Sequence, residues 1–415
     1  MKAKNDIFKA YDVRGIYPKE INGKIAYEIG AGLVKLLGLK NPKITVGQDL
    51  RASSPCIANG FIKGAIDAGA HIIDLGIIIT PMLFSSVRML NADAGAMITA
   101  SHNPNKYNGI KMTKKDGSAI SGENIKSFVQ NKKSIKKQNG RYQKTDIAEK
   151  YFNEIAMSFG DKKMSWKNKI SIIAKGTPKL FINKFAEKFK IPLISQKNKK
   201  PKFYASFDFD GDRLIIFDKN KKEVRGDIIG AVIGEMMAKK EDKIIYDLRC
   251  SKAVPEFFRN KRVKTLISRA GRTYLKDSAR KQKAVFGMEI TGHYFFKRFN
   301  YHESPFFALL KILEKINEEP SLNISEPDIA FKKFFHSGII DVIAKKNDFE
   351  QLNEKLKAEY KGGASNNLDG LTIEFSNWWF NLRPSHTEPL MRLVIEANSQ
   401  KLLDQKKKEL LNLLS

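Results

Sequence analysis

Three carboxylates alternate in Asp208-Phe209-Asp210-Gly211-Asp212-Arg213, directly after an apolar run. Like charges this close repel unless a cation neutralises them. Oxygen donors without His or Cys select a hard ion, Mg²⁺ or Ca²⁺. An EF-hand would need an acid at its twelfth loop position, where counting from Asp208 places Lys219. An acidic surface hairpin is the plain alternative. A second set is Thr99-Ala100-Ser101-His102-Asn103-Pro104, which delivers the Ser101 hydroxyl to a loop after the apolar run 94–98. Open α/β sheets place ligands at that edge, although Ser/Asn/Pro turns are also common. A third set, Glu289, Thr291 and His293, puts an acid, a hydroxyl and an imidazole at one strand–loop junction, which suits sugar hydroxyls. A fourth runs Arg383-Pro384-Ser385-His386-Thr387-Glu388-Pro389 between two strands. An arginine with two hydroxyls and loop amides is a phosphate-binding set; an ordinary hairpin connection is the alternative. Arg14 beside Gly15 and Lys111 after the turn at 107–109 are further cations able to reach an anion.

The elements that must position these groups follow from periodicity. Residues 24–37 have helical spacing, 44–47 and 71–75 read as strands, and Ser53-Ser54-Pro55 caps a helix that runs to 70. Thr80-Pro81 opens another helix before the strand 94–98. Such repeated units imply a mostly parallel sheet covered on both faces. Residues 121–150 are polar and basic and read as a link. Strands at 169–174, 203–207 and 214–217, with helices at 178–189 and 228–238, form a second series. A third series occupies 244–286. The last segment is α+β, with strands at 339–344, 371–375, 379–382 and 390–396 and helices at 348–360 and 400–414.

Composition bounds the rest. The chain has 415 residues, enough for two to four domains. It is 42% hydrophobic and carries 74 Lys+Arg against 45 Asp+Glu, a formal net charge of +29. That balance points to anionic partners, either phosphorylated small molecules or nucleic acid, or to a lysine-rich solvated surface. Zinc-finger spacing and RNA-recognition aromatics are absent from the sequence, so nucleic acid is not the expected partner. Two cysteines, Cys56 and Cys250, exclude a disulfide framework. With no signal peptide and no apolar run of about 20 residues, the expectation is a cytoplasmic protein without membrane contact.

A nucleophilic hydroxyl, a hard-cation site, a polyol loop and a phosphate loop together equip a chain to move a phosphoryl group on a sugar. The ordered motifs F-K-A-Y-D-V-R-G, T-A-S-H-N-P, Y-N-G-I-K, D-F-D-G-D-R, D-L-R-C-S, E-I-T-G-H and R-P-S-H-T-E-P resemble those of the α-D-phosphohexomutases, closest to the bacterial phosphomannomutase/phosphoglucomutase type. The resemblance implies α/β architecture: three doubly wound mixed-sheet domains and a C-terminal α+β domain around a central cleft. The expected boundaries are 1–145 with the phosphoserine loop, 146–240 with the metal loop, 241–327 with the sugar loop and 328–415 with the phosphate loop. It implies that Ser101 carries the phosphoryl group, with Arg14, Lys111 and Arg213 supporting its transfer. It implies Mg²⁺, one per chain, on Asp208, Asp210, Asp212 and the Ser101 phosphate. Lys276, Glu289, Thr291, His293, Arg383, Ser385, His386 and Thr387 match substrate contacts. Phospho-Ser101 would convert a hexose 1-phosphate to the 6-phosphate, for glucose, mannose or both, through a hexose 1,6-bisphosphate that also serves as activator. A monomer acting on phosphorylated hexoses is expected.

The chain departs from that pattern in places. The stretch between 165 and 208 is short, so the second domain is expected to be trimmed. Arg272 stands where the family has a histidine, and keeps positive charge but cannot act as a base near neutral pH. His386 replaces an asparagine and is expected to protonate near neutral pH beside an anion. Phosphoglucosamine mutase is the neighbouring alternative. A degenerate member that binds nucleic acid or a protein partner is the alternative from another class; the intact Ser101 and Asp triplet weigh against it.

Overall fold

The structure, a computed structural model, describes residues 7–130, 138–160, 164–194, 201–343, 349–385 and 390–414. They form two compact units, Met1–Lys222 with Arg298–Asn317, and Glu223–Lys297 with Glu318–Ser415.

The first unit holds two sheets. The larger takes β1 (Val13–Ile16), β2 (Lys43–Gln48), β3 (His71–Ile77), β4 (Ala94–Ile98), β5 (Tyr107–Lys114), β6 (Ala119–Ile120) and β7 (Arg141–Lys144), with the order β1-β5-β4-β2-β3-β7 and β6 beside β5. β2 runs parallel to β3 and β4, whereas β5 is antiparallel to β4 and β1. Every residue of β4 is buried, which explains its unbroken apolar run in the sequence. Helices α1 (Gly23–Leu37), α2 (Ser54–Asp67), α3 (Thr80–Met89), α4 (Gly122–Gln130) and α5 (Ala148–Met157) belong to this unit. Asn22 starts α1 by accepting from the Lys24 and Ile25 amides, and Gly38 ends it in the left-handed region. α1 and α2 touch backbone to backbone: a Cβ at Gly64 would lie 2.0 Å from the Tyr27 carbonyl oxygen.

Local expectations fail in this unit for identifiable reasons. Ser53 does not cap α2, because its hydroxyl accepts from the buried Asn108 amide at 2.7 Å. The turn expected at 107–109 is the extended start of β5, since Tyr107 and Gly109 pair with Ile16 and Arg14 of β1. The link expected at 121–150 contains α4, β7 and the start of α5. β7 is an exposed polar edge strand with no alternation to betray it.

The second sheet has the order β10 (Leu214–Phe217), β9 (Tyr204–Phe207), β8 (Ser171–Ala174), and the helix expected at 178–189 is a 3₁₀ turn followed by α6 (Ile182–Lys188). Phe306 of α10 (Pro305–Glu318) packs on Phe185 of α6 at 4.4 Å and Phe207 of β9 at 4.8 Å between ring centroids. The unit also contains β16 (His302–Glu303).

The second unit begins with β11 (Glu223–Val224) and α7 (Gly226–Met237). β12 (Lys243–Asp247) pairs in parallel with β13 (Lys264–Ser268) and β14 (Phe286–Met288), and β15 (Tyr294–Phe296) is antiparallel to β14. α8 (Ala253–Arg259) and α9 (Arg272–Gln282) connect them. The C-terminal sheet has the order β17 (Phe335–His336), β22 (Met391–Ala397), β21 (Trp378–Pro384), β20 (Leu371–Glu374), β19 (Ala364–Asn366), with β18 (Ile340–Val342) also on β22. Its core includes Tyr360 from the end of α11 (Phe349–Glu359) and Leu403, Leu410 and Leu414 from α12 (Gln400–Leu414). This α+β part has antiparallel pairing throughout.

Phe306→Ala removes the ring that joins α6 to β9. It is expected to cost about 3–5 kcal/mol, read as a lowered denaturant midpoint for the first unit.

Candidate active site

Ser101 follows β4 in the left-handed region, φ 52°, and its amide donates to the Thr99 hydroxyl at 2.9 Å. A non-glycine residue holds such a conformation only when its surroundings enforce it. Arg51, buried at the end of β2, does so. Its guanidinium donates to the carbonyls of Ser101 (2.6 Å), Asn103 (2.7 Å), Pro104 (3.1 Å) and Tyr107 (3.3 Å). Its Nε meets Asp49 at 3.1 Å, and its Cζ lies 4.7 Å from the Phe209 ring centroid. One side chain thus binds the serine loop and touches the carboxylate loop.

The carboxylate loop turns at Gly211, φ 71°, a position that favours glycine. Asp208 Oδ1 accepts from the Asp212 and Arg213 amides at 3.0 and 3.1 Å. The Ser101 hydroxyl stands 3.5 Å from Asp208 Oδ2. Lys111 of β5 donates to Asp210 at 2.7 Å and Asp212 at 2.6 Å, and the Thr80 hydroxyl at the start of α3 donates to Asp210 at 2.6 Å. Burial, then the charges of Asp212 and Asp210, push Asp208 well up. Burial and the Asp212 charge push Asp210 up as well, but Lys111 and Thr80 outweigh them and hold its carboxyl below its ordinary value.

Ligand oxygens of Asp208, Asp210 and Asp212 all lie within 4.8 Å of one another, and Asp210 Oδ1 is buried without a hydrogen-bond partner among the described residues. An all-oxygen donor set with an unsatisfied buried carboxylate oxygen fits a hard divalent cation. Arg14 of β1 donates to Asn103 at 2.8 Å and Asp12 at 2.6 Å, which anchors it beside the serine loop. Arg213 donates to His102 Nδ1 at 3.1 Å. Burial, then the charges of Arg213 and Arg14, hold His102 down at about 3, so it is neutral near pH 7. The first unit therefore brings together Arg14, Ser101, Lys111, Asp208, Asp210, Asp212 and Arg213.

The second unit brings together a different set. Glu289 follows β14, and its carboxylate meets His293 Nδ1 at 2.7 Å and the Thr291 hydroxyl at 3.2 Å, with the loop turning at Gly292, φ 84°. Its other oxygen accepts from the Gly271 amide at 3.0 Å, next to Arg272 at the first turn of α9. Asp247 holds this loop from behind: it accepts from the Ile290 amide at 3.1 Å and binds Arg249 with both oxygens, at 2.9 and 2.8 Å. Arg249 stands 3.8 Å from Glu289. Arg383, at the end of β21, stands 3.9 Å from Asp369, which accepts from the Ala270 amide. Burial, then the positive charge of Arg249, lower Arg383. Ser385 is buried beside it, and Lys276 is buried on α9. His386 and Thr387 lie outside the described residues.

The reading of the sequence gave no role in the site to Arg51, Thr80, Asp247, Arg249 or Asp369, although Thr80 opens a helix in that reading and Asp247 and Arg249 lie in the D-L-R-C-S motif. One signal was available. Asp49-Leu50-Arg51 and Asp247-Leu248-Arg249 repeat the same three residues at the ends of two parallel strands. In each the Arg amide donates to the Asp carboxylate, at 3.0 and 2.7 Å.

Comparison with known proteins follows the same division. The pattern of phosphoglucomutase/phosphomannomutase α/β/α domain I matches residues 5–139, that of α/β/α domain III matches 225–327, and that of the C-terminal domain matches 341–413. A phosphomannomutase of Methanocaldococcus jannaschii is 34% identical, across 99% of this chain and 97% of its own. A phosphoglucomutase/phosphomannomutase family protein from Burkholderia thailandensis has a crystal structure that superposes with a TM-score of 0.83 at 22% identity, covering 98% of this chain and 96% of that one. The N-acetylphosphoglucosamine mutase of Aspergillus fumigatus, solved with glucose 1,6-bisphosphate, superposes with a TM-score of 0.63 at 12% identity, covering 99% of this chain and 95% of that one.

Arg51→Met would leave four loop carbonyls and Asp49 without their cation. Breaking a buried pair from one side costs about 3–5 kcal/mol, so urea unfolding of this variant should show a loss of that order. Arg51→Lys keeps the charge without the fork and should lose less.

Proposed function

We propose a reaction for a chain that belongs to the phosphoglucomutase/phosphomannomutase family: the interconversion of hexose 1-phosphates and hexose 6-phosphates, of mannose, glucose or both. The observation that carries it is the Ser101 hydroxyl 3.5 Å from Asp208, within a shell of Arg14, Lys111 and Arg213. Phospho-Ser101 donates to a hexose monophosphate: the Oγ–P bond breaks as a sugar O–P bond forms, giving the 1,6-bisphosphate. After that intermediate reorients, Ser101 takes back the other phosphoryl group. A trace of the same bisphosphate would phosphorylate a dephosphorylated Ser101, which makes it the activator. The fungal relative solved with glucose 1,6-bisphosphate supports this choice.

Asp208, Asp210 and Asp212 are the residues that would hold Mg²⁺, together with the phosphate on Ser101. When bound, that ion supplies positive charge beside the transferring group. Arg51 fixes Ser101 in its left-handed turn, so the nucleophile needs no reorganisation at the moment of transfer. Arg14 and Arg213, both tied to the serine loop, are placed to offset charge spread over the equatorial oxygens. His102 is neutral and accepts from Arg213, so it orients that cation rather than supplying a proton. Glu289, Thr291 and His293 are the set for sugar hydroxyls. Arg383 and Ser385 are the described part of the set for the phosphate that does not react, with Arg249 as an added cation.

Phosphorus NMR of glucose 1-phosphate, mannose 1-phosphate and glucosamine 1-phosphate, with Mg²⁺ and a trace of hexose 1,6-bisphosphate, tests this. Conversion of glucose or mannose 1-phosphate to the 6-phosphate is expected, and Ser101→Ala should abolish it. No conversion of any sugar by a folded, Mg²⁺-binding protein would overturn the reading in favour of a non-catalytic member. Preferred turnover of the glucosamine ester would move it to the neighbouring activity. Chelation with EDTA should stop turnover, and returning Mg²⁺ should restore it.

A further inference from the structure

We propose that the second unit contains a separate ligand site, for a planar aromatic molecule that carries one anionic group. A cavity of about 530 Å³ lies between the carboxyl edge of the β12–β13 pair, the start of α8 and the outward face of the C-terminal sheet. Cavities of roughly 300–1,000 Å³ hold small molecules. None of Glu289, Thr291, His293 and Arg383 lines it. Its walls are rings and branched chains: Tyr246, Trp379, Pro255, Ile267 and Leu368. Ile267 and Leu368 are 51% and 41% exposed, an unusual state for large apolar side chains that share one hollow.

The charges at the cavity decide what fits. Lys252 pairs with Glu374, and Lys333 pairs with the lining residue Glu256. Those pairs leave Arg259, the last residue of α8, as a lining cation with no ion pair among the described residues. Flat apolar walls with one uncommitted guanidinium suit an aromatic ring bearing a carboxylate, sulfonate or phosphate. The ring packs on Trp379 and Tyr246, and the anion meets the planar fork. A sugar phosphate would leave the apolar walls wet, and an aromatic cation would face Arg259.

The site is also wired to the groups that bind substrate in the proposed reaction, and its effect on turnover rests on that reading. Leu248, Cys250 and Ser251 in the cavity belong to the turn whose Asp247 and Arg249 hold Ile290 and approach Glu289. Leu368 adjoins Asp369, which accepts from Ala270 and faces Arg383. An occupant braces both walls and thereby shifts the affinity for hexose phosphate.

The test titrates the full chain with 8-anilinonaphthalene-1-sulfonate, followed by dye fluorescence, alongside N-phenyl-1-naphthylamine, which has the same rings without the sulfonate. One saturable site is expected, undisplaced by excess glucose 1-phosphate. Losing one charge-assisted contact weakens binding roughly tenfold, so Arg259→Ala should do that to the sulfonate and leave the neutral dye unchanged. Leu368→Glu at the mouth should weaken both dyes. Far-UV circular dichroism confirms that the exposed-site variants are folded. Absent saturable binding, equal binding by wild type and both variants, or displacement by the sugar phosphate would each overturn the proposal. Saturating sulfonate should lower KM for the hexose phosphate, and by reciprocity glucose 1-phosphate should tighten rather than displace the dye; an unchanged or raised KM would overturn the coupling. Dye binding as expected in a protein without mutase activity would sink the reaction and leave the site standing. An active mutase without dye binding would do the reverse.

Discussion

Burying three carboxylates in one tight loop is the constraint from which the first unit is built. In a medium less polar than water their mutual repulsion grows, and each also loses hydration. Protein groups answer part of that demand. Lys111 spans two of the carboxylates, Thr80 donates to one, and the Asp212 and Arg213 amides close on Asp208. The answer is incomplete, because Lys111 and Arg213, the latter 3.7 Å from Asp208, set two positive charges against three acids, and Asp210 Oδ1 has no partner among the described residues. The deficit is what fits the loop to a cation rather than to a satisfied core cluster. The loop's own amides and Arg213 serve Asp208, whereas Asp210 and Asp212 are reached from outside it, by Lys111 of β5 and, at Asp210, by Thr80 at the start of α3.

The same logic appears in the repeated Asp-Leu-Arg. At the end of β2 the Asp49–Arg51 pair turns its guanidinium toward carbonyls of the serine loop. At the end of β12 the Asp247–Arg249 pair turns toward Glu289, with Asp247 also catching the Ile290 amide. In both places a parallel strand stops, its carboxylate fixes an arginine two residues on, and that arginine steadies the next functional loop. Arginine suits this role because its five donors are rigidly arranged and it stays charged when buried. The pair is a way of passing the rigidity of a buried sheet to a loop that has little apolar content of its own.

What the sequence made legible follows from how locally each feature is encoded. The Asp triplet, Ser101 after an apolar strand and the Glu289–His293 loop could be read because residues a few positions apart carry the chemistry. β4 could be read because burial on both faces leaves a continuous apolar run. Asp369 was silent and Arg51 signalled only through the repeated Asp-Leu-Arg, since a loop aspartate and a buried arginine look like surface residues until their partners, 50 and more residues away, are known. β7 was silent because an exposed edge strand needs no alternation, and Ser53 misled because Asn108 claims its hydroxyl. Fold class and the first unit's candidate set were thus visible, whereas most of the groups that position them became visible through long-range contacts.

The cations of the second unit carry the reasoning one step further. Arg383 is buried, makes no hydrogen bond through Nε among the described residues, and lies close enough to Arg249 for that charge to lower it. Asp247 and Asp369 offset only part of that cost, and Asp247 is already committed to Arg249 and Ile290. In the proposed reaction, two buried guanidiniums whose charges are only partly offset favour a dianion beside them. Because the arrangement exists before the anion arrives, little of that gain is lost to reorganisation. A phosphate also presents the same oxygens whichever carbon of the hexose bears it. In the proposed reaction, a site that grips only the phosphate therefore holds the substrate in either orientation, which is what an enzyme must do when its intermediate carries a phosphate at each end.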